Sequence, residues 1–220
     1  MTATADLRHE YALASQGFVR IAGLDEAGRG AWAGPVVAGA VILPLERFDL
    51  AHALHGVNDS KQLTPAERET LLPLIVETAV AVGVGHASQD EIDARGIVAA
   101  TRQAMQRALD ALAVAPDALL VDGRALPGFT LPCLALVRGD QQSLSIAAAS
   151  IVAKVTRDHF MDSLDEVFPQ YGFREHKGYG TPLHQGALRY FGPCAAHRLT
   201  FAPLRALLSA VAETGEQPAP

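Results

Sequence analysis

Gly23-Leu-Asp-Glu-Ala-Gly-Arg-Gly-Ala-Trp-Ala-Gly-Pro35 sets two adjacent carboxylates, Asp25 and Glu26, between an apolar run and a Gly-Arg-Gly. The segments on either side, Val19–Leu24 and Val36–Leu43, are rich in β-branched and small apolar residues, which predicts two neighbouring strands joined through a glycine-rich turn. Successive side chains on a regular strand point to opposite faces, so Asp25 and Glu26 can serve one site only if the strand ends or bulges there. Gly23, Gly28 and Gly30 ease such a departure. Two carboxylates about 4 Å apart repel by roughly 4 kcal/mol at an effective dielectric of 20, so bringing them together calls for a raised pKa or a bound cation. Taken alone, the pair is better read as Asp25 binding ions while Glu26 points to solvent, or as two acids that merely decorate a turn.

Working outward, Met1–Gln16 reads as a short leading helix ended by Gly17. Thr64-Pro65-Ala66-Glu67 has the form of a capping box with proline at the first helical position, so a helix is predicted to begin there. Ala79–His86 reads as a third strand, Ser88–Asp93 and Ile97–Leu112 as helices, and Ala118–Asp122 and Cys133–Val137 as two more strands. Gln141–Glu166 predicts a long helix rich in small residues, followed by helices over Pro182–Phe191 and Ala202–Ala212. Three strands in succession and then strands alternating with helices imply an α/β protein, a mixed sheet with helices on both faces. The expected organisation is a catalytic domain over 1–169, including a leading helix over 1–17, a C-terminal helical extension over 170–212 and a mobile tail over 213–220.

Further acids fall at comparable places. Asp122 follows the apolar run Ala118–Val121, and Asp140 comes just past the strand at Cys133–Val137. Carboxylates at the ends of three strands can converge on one edge of a sheet, and an all-oxygen cluster favours a hard ion, Mg²⁺ or Mn²⁺. Asp158, inside a predicted helix, is a rival for a fourth place. Glycines flanking Arg29 would let the backbone of Gly28–Gly30 approach a ligand with its amides and carbonyls exposed, and only RNA offers a 2′-hydroxyl there. In His176-Lys-Gly-Tyr-Gly180, Tyr179 can lay its ring on a sugar or base while Lys177 meets a phosphate.

The 220-residue chain carries a net charge of −6, with 49% hydrophobic and 19% charged residues, which reads as a soluble globular protein. The net charge disfavours a nucleic-acid partner, but Tyr171–Arg205 holds five Lys and Arg against one acid, Glu175, with rings interleaved. No apolar run is long enough to span a bilayer, so no membrane role is expected. The cysteines, Cys133 and Cys194, lie far apart and fit a reducing compartment, so a cytoplasmic protein is expected, and a monomer is the expectation for its oligomeric state. Cys194-Ala-Ala-His197 is half a zinc motif without a second half, and His184 and His197 are read as capping or packing.

The ordered blocks Ile21–Gly30, Asn58–Lys61, Val121–Gly123, Arg138–Asp140, Ser145–Ser150 with Ala153-Lys154, and His176–Gly180 together resemble bacterial ribonuclease HII. The resemblance implies a ribonuclease H-like fold with a five-stranded mixed sheet flanked by helices and a C-terminal helical extension. It implies cutting of RNA in RNA/DNA hybrids and at single ribonucleotides in duplex DNA. Asp25, Glu26, Asp122 and Asp140 would be the catalytic, metal-binding carboxylates, holding two Mg²⁺ or Mn²⁺. Gly28, Arg29, Gly30, Lys61, Lys177 and Tyr179 would bind substrate, Tyr179 packing on the deoxyribose that follows the ribonucleotide. Nothing in the sequence bears on a replication-clamp contact. Competing readings are a nuclease restricted to long hybrids, a nucleic-acid-binding module without catalysis, and a metal-dependent phosphatase acting on small substrates. The acids disfavour the binding module, because without metal they repel phosphate.

Overall fold

The computed structural model describes residues 5–123 and 128–214, so residues 215–220 of the expected tail lie outside the described residues. Two compact units divide the chain: one built from residues up to Ala27, Val37–His86 and Thr101–Val155, the other from Gly28–Val36, Ala87–Ala100 and the chain from Thr156 on. Among the described residues no helix is long and apolar enough to cross a membrane.

The first unit holds a five-stranded sheet of β1 (Ile21–Ala27), β2 (Val36–Ile42), β3 (Ala81–Ala87), β4 (Ala118–Asp122) and β5 (Cys133–Leu136), in the order β3-β2-β1-β4-β5. β1 runs antiparallel to β2 and parallel to β4, and β4 runs parallel to β5, so the sheet is mixed as expected. One expectation fails. β1 neither ends nor bulges at the acid pair but pairs regularly through it, Asp25 opposite Gly39 and Glu26 opposite Ala38. The small residues Ala38, Gly39 and Ala40 of β2 offer an unbroken ladder, and the chain leaves it only at Gly28, where φ is +87°. Asp25 and Glu26 therefore point to opposite faces.

Helix α1 covers Arg8–Ala14, α2 Leu50–Ala53, α3 Pro65–Thr78, α4 Gln89–Arg95, α5 Ile97–Asp110 and α6 Leu144–Val167. Thr64 and Glu67 form the predicted capping box at the start of α3. Long helix α6 lies so close to the sheet that a Cβ at Gly23 would run into the backbone of Ser145 and Ile146, and one at Gly39 into that of Ala149 and Ala153. The face so covered carries Gly23, Asp25 and Gly39. Val41, Leu71, Ile75, Ala148, Ile151 and Val152 belong to the core on this side, and Val82 of β3 packs against it. The neighbours of Val82 along β3, Gly83 and Gly85, instead meet α5 at Ala104 and Ala108, so the sheet has helices on both faces. Buried Glu10 of α1 accepts hydrogen bonds from the Ser145 backbone N–H at 2.9 Å and from the hydroxyls of Ser143 and Ser145, each at 2.6 Å, which anchors the N-terminus of α6.

The second unit has its own core of Ala33, Met161, Tyr171, Phe173, Leu188, Ala196 and Leu204. It contains α4, the later part of α6, α7 (Phe173–His176), α8 (Pro182–Phe191) and α9 (Ala202–Thr214). The Asp93 carboxylate of α4 binds the N–H groups of Leu199 at 2.7 Å and Thr200 at 3.1 Å, tying together segments 106 and 107 residues apart.

Because the Gly39 site is closed by helix backbone, Gly39→Ala should destabilise the protein by about 1–3 kcal/mol. Gly30→Ala, where a Cβ meets nothing within 4 Å, should change stability by less than about 0.5 kcal/mol. Urea denaturation of the two variants beside the unmodified chain measures both; equal stabilities would contradict the close packing of α6 on β2.

Candidate functional site

In the first unit the parallel register of β1 and β4 ends with Leu24 opposite Val121. One residue further on come Asp25 and Asp122, on strands about 4.8 Å apart, so their side chains leave the sheet next to each other. Asp122 lies opposite Leu136 of β5, after which Arg138 takes a left-handed conformation (φ 58°) and opens a 3-10 turn over Gly139–Gln141. That turn brings Asp140 back toward the strand ends, and its Gly139 N–H donates to Asp122 Oδ1 at 2.6 Å. One carboxylate oxygen from each of Asp25, Asp122 and Asp140 then lies within 4.8 Å of the others. They occupy the carboxyl ends of three adjacent parallel strands, the usual place for a site in an α/β sheet.

Asp25 and Asp140 are nearly sealed from solvent, 2% and 3% exposed. Burial drives the Asp25 carboxyl well above the usual range, and the charges of Glu26 and Asp122 push it further, against Lys61 and the Glu26 backbone N–H, which donates to Asp25 Oδ1 at 2.7 Å. Burial also raises Asp140, with Lys61 opposing and Asp122 adding. The Lys61 ammonium sits 3.1 Å from Asp140 Oδ2 and 3.7 Å from Asp59 Oδ1. Burial disfavours its charge, but Asp25 and Asp140 outweigh burial and raise its pKa. Lys61, expected at the substrate, is thus placed beside the acids. Its loop is fixed by Asp59, which accepts from the Lys61 N–H at 2.9 Å and from Gln141 Nε2 at 3.1 Å, and by the Ser60–Ser150 hydroxyl pair at 2.6 Å.

Do these residues suit a cation? Asp25 Oδ2 is buried and has no hydrogen-bond partner among the described residues. A buried carboxylate oxygen left bare is costly unless a positive charge meets it. Oxygen donors at this spacing suit a hard divalent ion such as Mg²⁺ or Mn²⁺ and not a sulfur-seeking one. Glu26 stands outside the group of three, as its opposite strand face requires, and acts on it through its charge and its backbone N–H. Asp158, on the part of α6 that belongs to the second unit, also stands outside it.

The second unit holds Gly28-Arg29-Gly30 on two buried arginines. Arg198 donates to the carbonyls of Gly28 at 2.8 Å, Arg29 at 3.1 Å and Gly34 at 3.0 Å. Arg157 donates to those of Pro35 at 3.0 Å, Ala33 at 3.2 Å and Lys177 at 2.9 Å. Beyond its positive φ, Gly28 is needed because a Cβ there would collide with the Arg157 guanidinium. The carbonyls of Gly28 and Arg29 are therefore engaged inside the protein, contrary to the expectation that they are exposed for a ligand, whereas the Gly30 Cα faces open space. Burial lowers both arginine pKa values, that of Arg198 to about 9, which leaves it protonated at neutral pH. Two buried cations under a glycine loop favour an anion at its surface. The Tyr179 ring packs over Arg157 at 5.5 Å and is 40% exposed. Lys177 is engaged by the Asp162 carboxylate and by the Asp158 carbonyl at 3.3 Å.

Asp59, Arg157 and Arg198 escaped the sequence reading. Arg157 carried a legible signal: it continues the i, i+4 row Ala149, Ala153 toward Met161, all buried, so an arginine there must have partners inside the protein.

The ribonuclease HII family model matches residues 22–203. The ribonuclease HII of Chloroflexus aurantiacus is 55% identical over 205 residues, 93% of this chain and 97% of the relative. The crystal structure of the ribonuclease H2 from Pyrococcus horikoshii OT3 superposes with a TM-score of 0.75 at 27% identity, covering 88% of this chain and 99% of that one. Bst-RNase HIII, solved in complex with Mn²⁺, shares the fold at a TM-score of 0.62 and 20% identity, covering 89% of this chain and 71% of that one. With three strand-end carboxylates on a five-stranded mixed sheet, and a family match that spans both units, the chain belongs to the ribonuclease HII family and is a type 2 ribonuclease H.

Proposed function

We propose that this ribonuclease H, which acts on RNA/DNA hybrids, also incises duplex DNA on the 5′ side of a single embedded ribonucleotide, with two divalent cations, Mg²⁺ or Mn²⁺, as cofactors. The observation that carries the reading is the convergence of Asp25, Asp122 and Asp140 around the bare, buried Oδ2 of Asp25. The Mn²⁺ complex of Bst-RNase HIII supports the choice of ions. Bound there, such cations supply an acidified water and a sink for charge on the leaving 3′-oxygen, so the products carry 3′-hydroxyl and 5′-phosphate ends.

The chain's own residues do the rest. Asp25, Asp122 and Asp140 hold the cations, and Glu26 adds negative charge beside them. Lys61 neutralises part of that charge and holds Asp140 in place. Gly28, Arg29 and Gly30 meet the ribonucleotide, with Arg29 at the phosphate and the two buried arginines supplying attraction from beneath. Tyr179 packs on the following deoxyribose. A site built to hydrogen-bond a hydroxyl rejects the deoxy analogue by on the order of 10⁴-fold, because its polar groups are then left unpaired. We place the protein in the cytoplasm, in keeping with its two free thiols, and take it to act as a monomer.

Asp25→Asn and Asp122→Asn should each lower single-turnover cutting by on the order of 10³-fold, several kcal/mol of lost metal stabilisation. Hybrid affinity should stay within about threefold of the unmodified protein, since the contacts proposed for positioning the duplex belong to Gly28, Arg29, Gly30 and Tyr179 and not to the acids. Near-normal cutting by either variant in Mg²⁺ would remove that carboxylate from the metal centre. Transfer from EDTA into Mg²⁺ several-fold above its Kd should stabilise the unmodified protein by about 1 kcal/mol, read as a rise in melting temperature; Asp25→Asn should lose that rise. Tyr179→Ala should slow incision at a single embedded ribonucleotide more than cutting of a long hybrid, measured on matched duplexes. Equal loss on both substrates would exclude the stacking role.

A further inference from the structure

The second unit buries three imidazoles against one another: His184 is 0% exposed, His197 2% and His176 7%. His176 and His184 stack at 4.4 Å, and His184 and His197 lie 5.2 Å apart. None of the chemistry above uses them.

Their hydrogen bonds leave each ring a single tautomer. His184 Nδ1 is 3.0 Å from the Tyr179 carbonyl, which can only accept, so Nδ1 carries the hydrogen. In a neutral ring His184 Nε2 is then an acceptor. It faces His197 Nε2 at 2.9 Å, so the hydrogen between them belongs to His197. His197 Nδ1 is left as an acceptor and takes the Cys194 N–H at 2.9 Å, with the Cys194 thiol a second possible donor at 3.2 Å; the Cys194 carbonyl, 3.3 Å away, already accepts the His197 backbone N–H at 3.0 Å. His176 is fixed independently: the Gly178 N–H donates to its Nδ1 at 3.2 Å, so its Nε2 donates to the Tyr171 carbonyl at 2.8 Å. Protonating His184 or His197 would set two N–H groups head to head. Burial holds both well below the ordinary range, at about 4, so the neutral forms prevail at neutral pH. The two Nε2 atoms stand at hydrogen-bond distance, which leaves no room for a metal ion between them.

The relay ends on the loop that carries Tyr179. His184 holds the Tyr179 carbonyl, and His176 holds the Gly178 N–H and, through its own carbonyl, the Tyr179 N–H at 2.9 Å. The Gly178 carbonyl in turn accepts from Trp32 N at 2.8 Å. With both sides of its peptide tied down, Tyr179 has little freedom except at its exposed ring.

We propose that His176, His184 and His197 are positioning residues for Tyr179, a neutral relay of fixed tautomers, Cys194 N–H to His197 to His184 to the Tyr179 carbonyl, that sets the ring for the deoxyribose beside the ribonucleotide. This rests on the reading of Tyr179 given above.

Two measurements test it on the full chain. Imidazole ¹⁵N spectra of the unmodified protein at pH 7 should show three neutral rings, with the hydrogen on Nδ1 of His184 and on Nε2 of His176 and His197. A charged ring or another tautomer at any of the three overturns the relay. His184→Phe keeps a ring but removes both hydrogen bonds. It should slow incision at an embedded ribonucleotide by on the order of 10-fold, because small misplacements of a contacting group are costly, and slow long-hybrid cutting by much less. In a Tyr179→Ala background the same substitution should add nothing. Normal incision by a folded His184→Phe beside an impaired Tyr179→Ala overturns the positioning role while leaving Tyr179 at the substrate. An unimpaired Tyr179→Ala overturns both. Should His184→Phe not fold, the spectra of the unmodified chain and the milder His197→Gln decide.

Discussion

Electrostatic repulsion among Asp25, Asp122 and Asp140 is the constraint that the first unit has to answer. Three carboxylate oxygens within 4.8 Å, two of the groups almost fully buried, would drive one another apart unless the backbone held them, and held together they have raised pKa values at Asp25 and Asp140. The sheet holds them. The parallel register of β1 and β4 fixes Asp25 against Asp122, and the left-handed Arg138 with its 3-10 turn fixes Asp140. Tight seating of α6 through Gly23 and Gly39 keeps β1 and β2 from shifting under the strain. Lys61, steered by Asp59, offsets part of the charge.

How the second unit treats charge is different. Among the described residues the N–H···O hydrogen bonds of buried Arg157 and Arg198 go to the backbone carbonyls of Gly28, Arg29, Ala33, Gly34, Pro35 and Lys177, not to carboxylates. Carbonyl dipoles solvate a guanidinium without cancelling its charge, so positive potential survives at the loop surface. An ion pair in the same place would have fixed the loop equally well and removed that potential. The choice of partner matters more than the number of hydrogen bonds.

Most of the sheet was legible, since each strand announces itself as a short β-branched or small apolar run, and the acids at strand ends follow from Ala118–Asp122 and the run before Asp140. What sequence could not supply was register. The strand was expected to end or bulge at Asp25-Glu26 so that both acids could serve one site, whereas pairing with β2 carries it through to Ala27 and separates the two carboxylates onto opposite faces. Glu26 then falls outside the group of three. Asp59, Arg157 and Arg198 act through long-range contacts, such as Arg198 to Gly28 across 170 residues, that no local pattern encodes. The division of the chain was hidden for the same reason: Gly28–Val36 and Ala87–Ala100 join a unit otherwise formed from Thr156 onward.

Polar burial separates the two kinds of residue in this molecule. In the histidine relay every ring nitrogen has a partner of the right kind, donors facing acceptors from Cys194 through to Tyr179, and such a network resists change because any added proton leaves two donors opposed. In the acidic centre the reverse holds: Asp25 Oδ2 is buried with no hydrogen-bond partner among the described residues. Glu10 Oε2 is bare as well, so what sets Asp25 apart is its place among three converging carboxylates, with Lys61 close enough to act on it and yet hydrogen-bonded to Asp140. Among the described residues its bare oxygen belongs to a carboxylate that stands within reach of two further ones, the arrangement a hard divalent cation would satisfy.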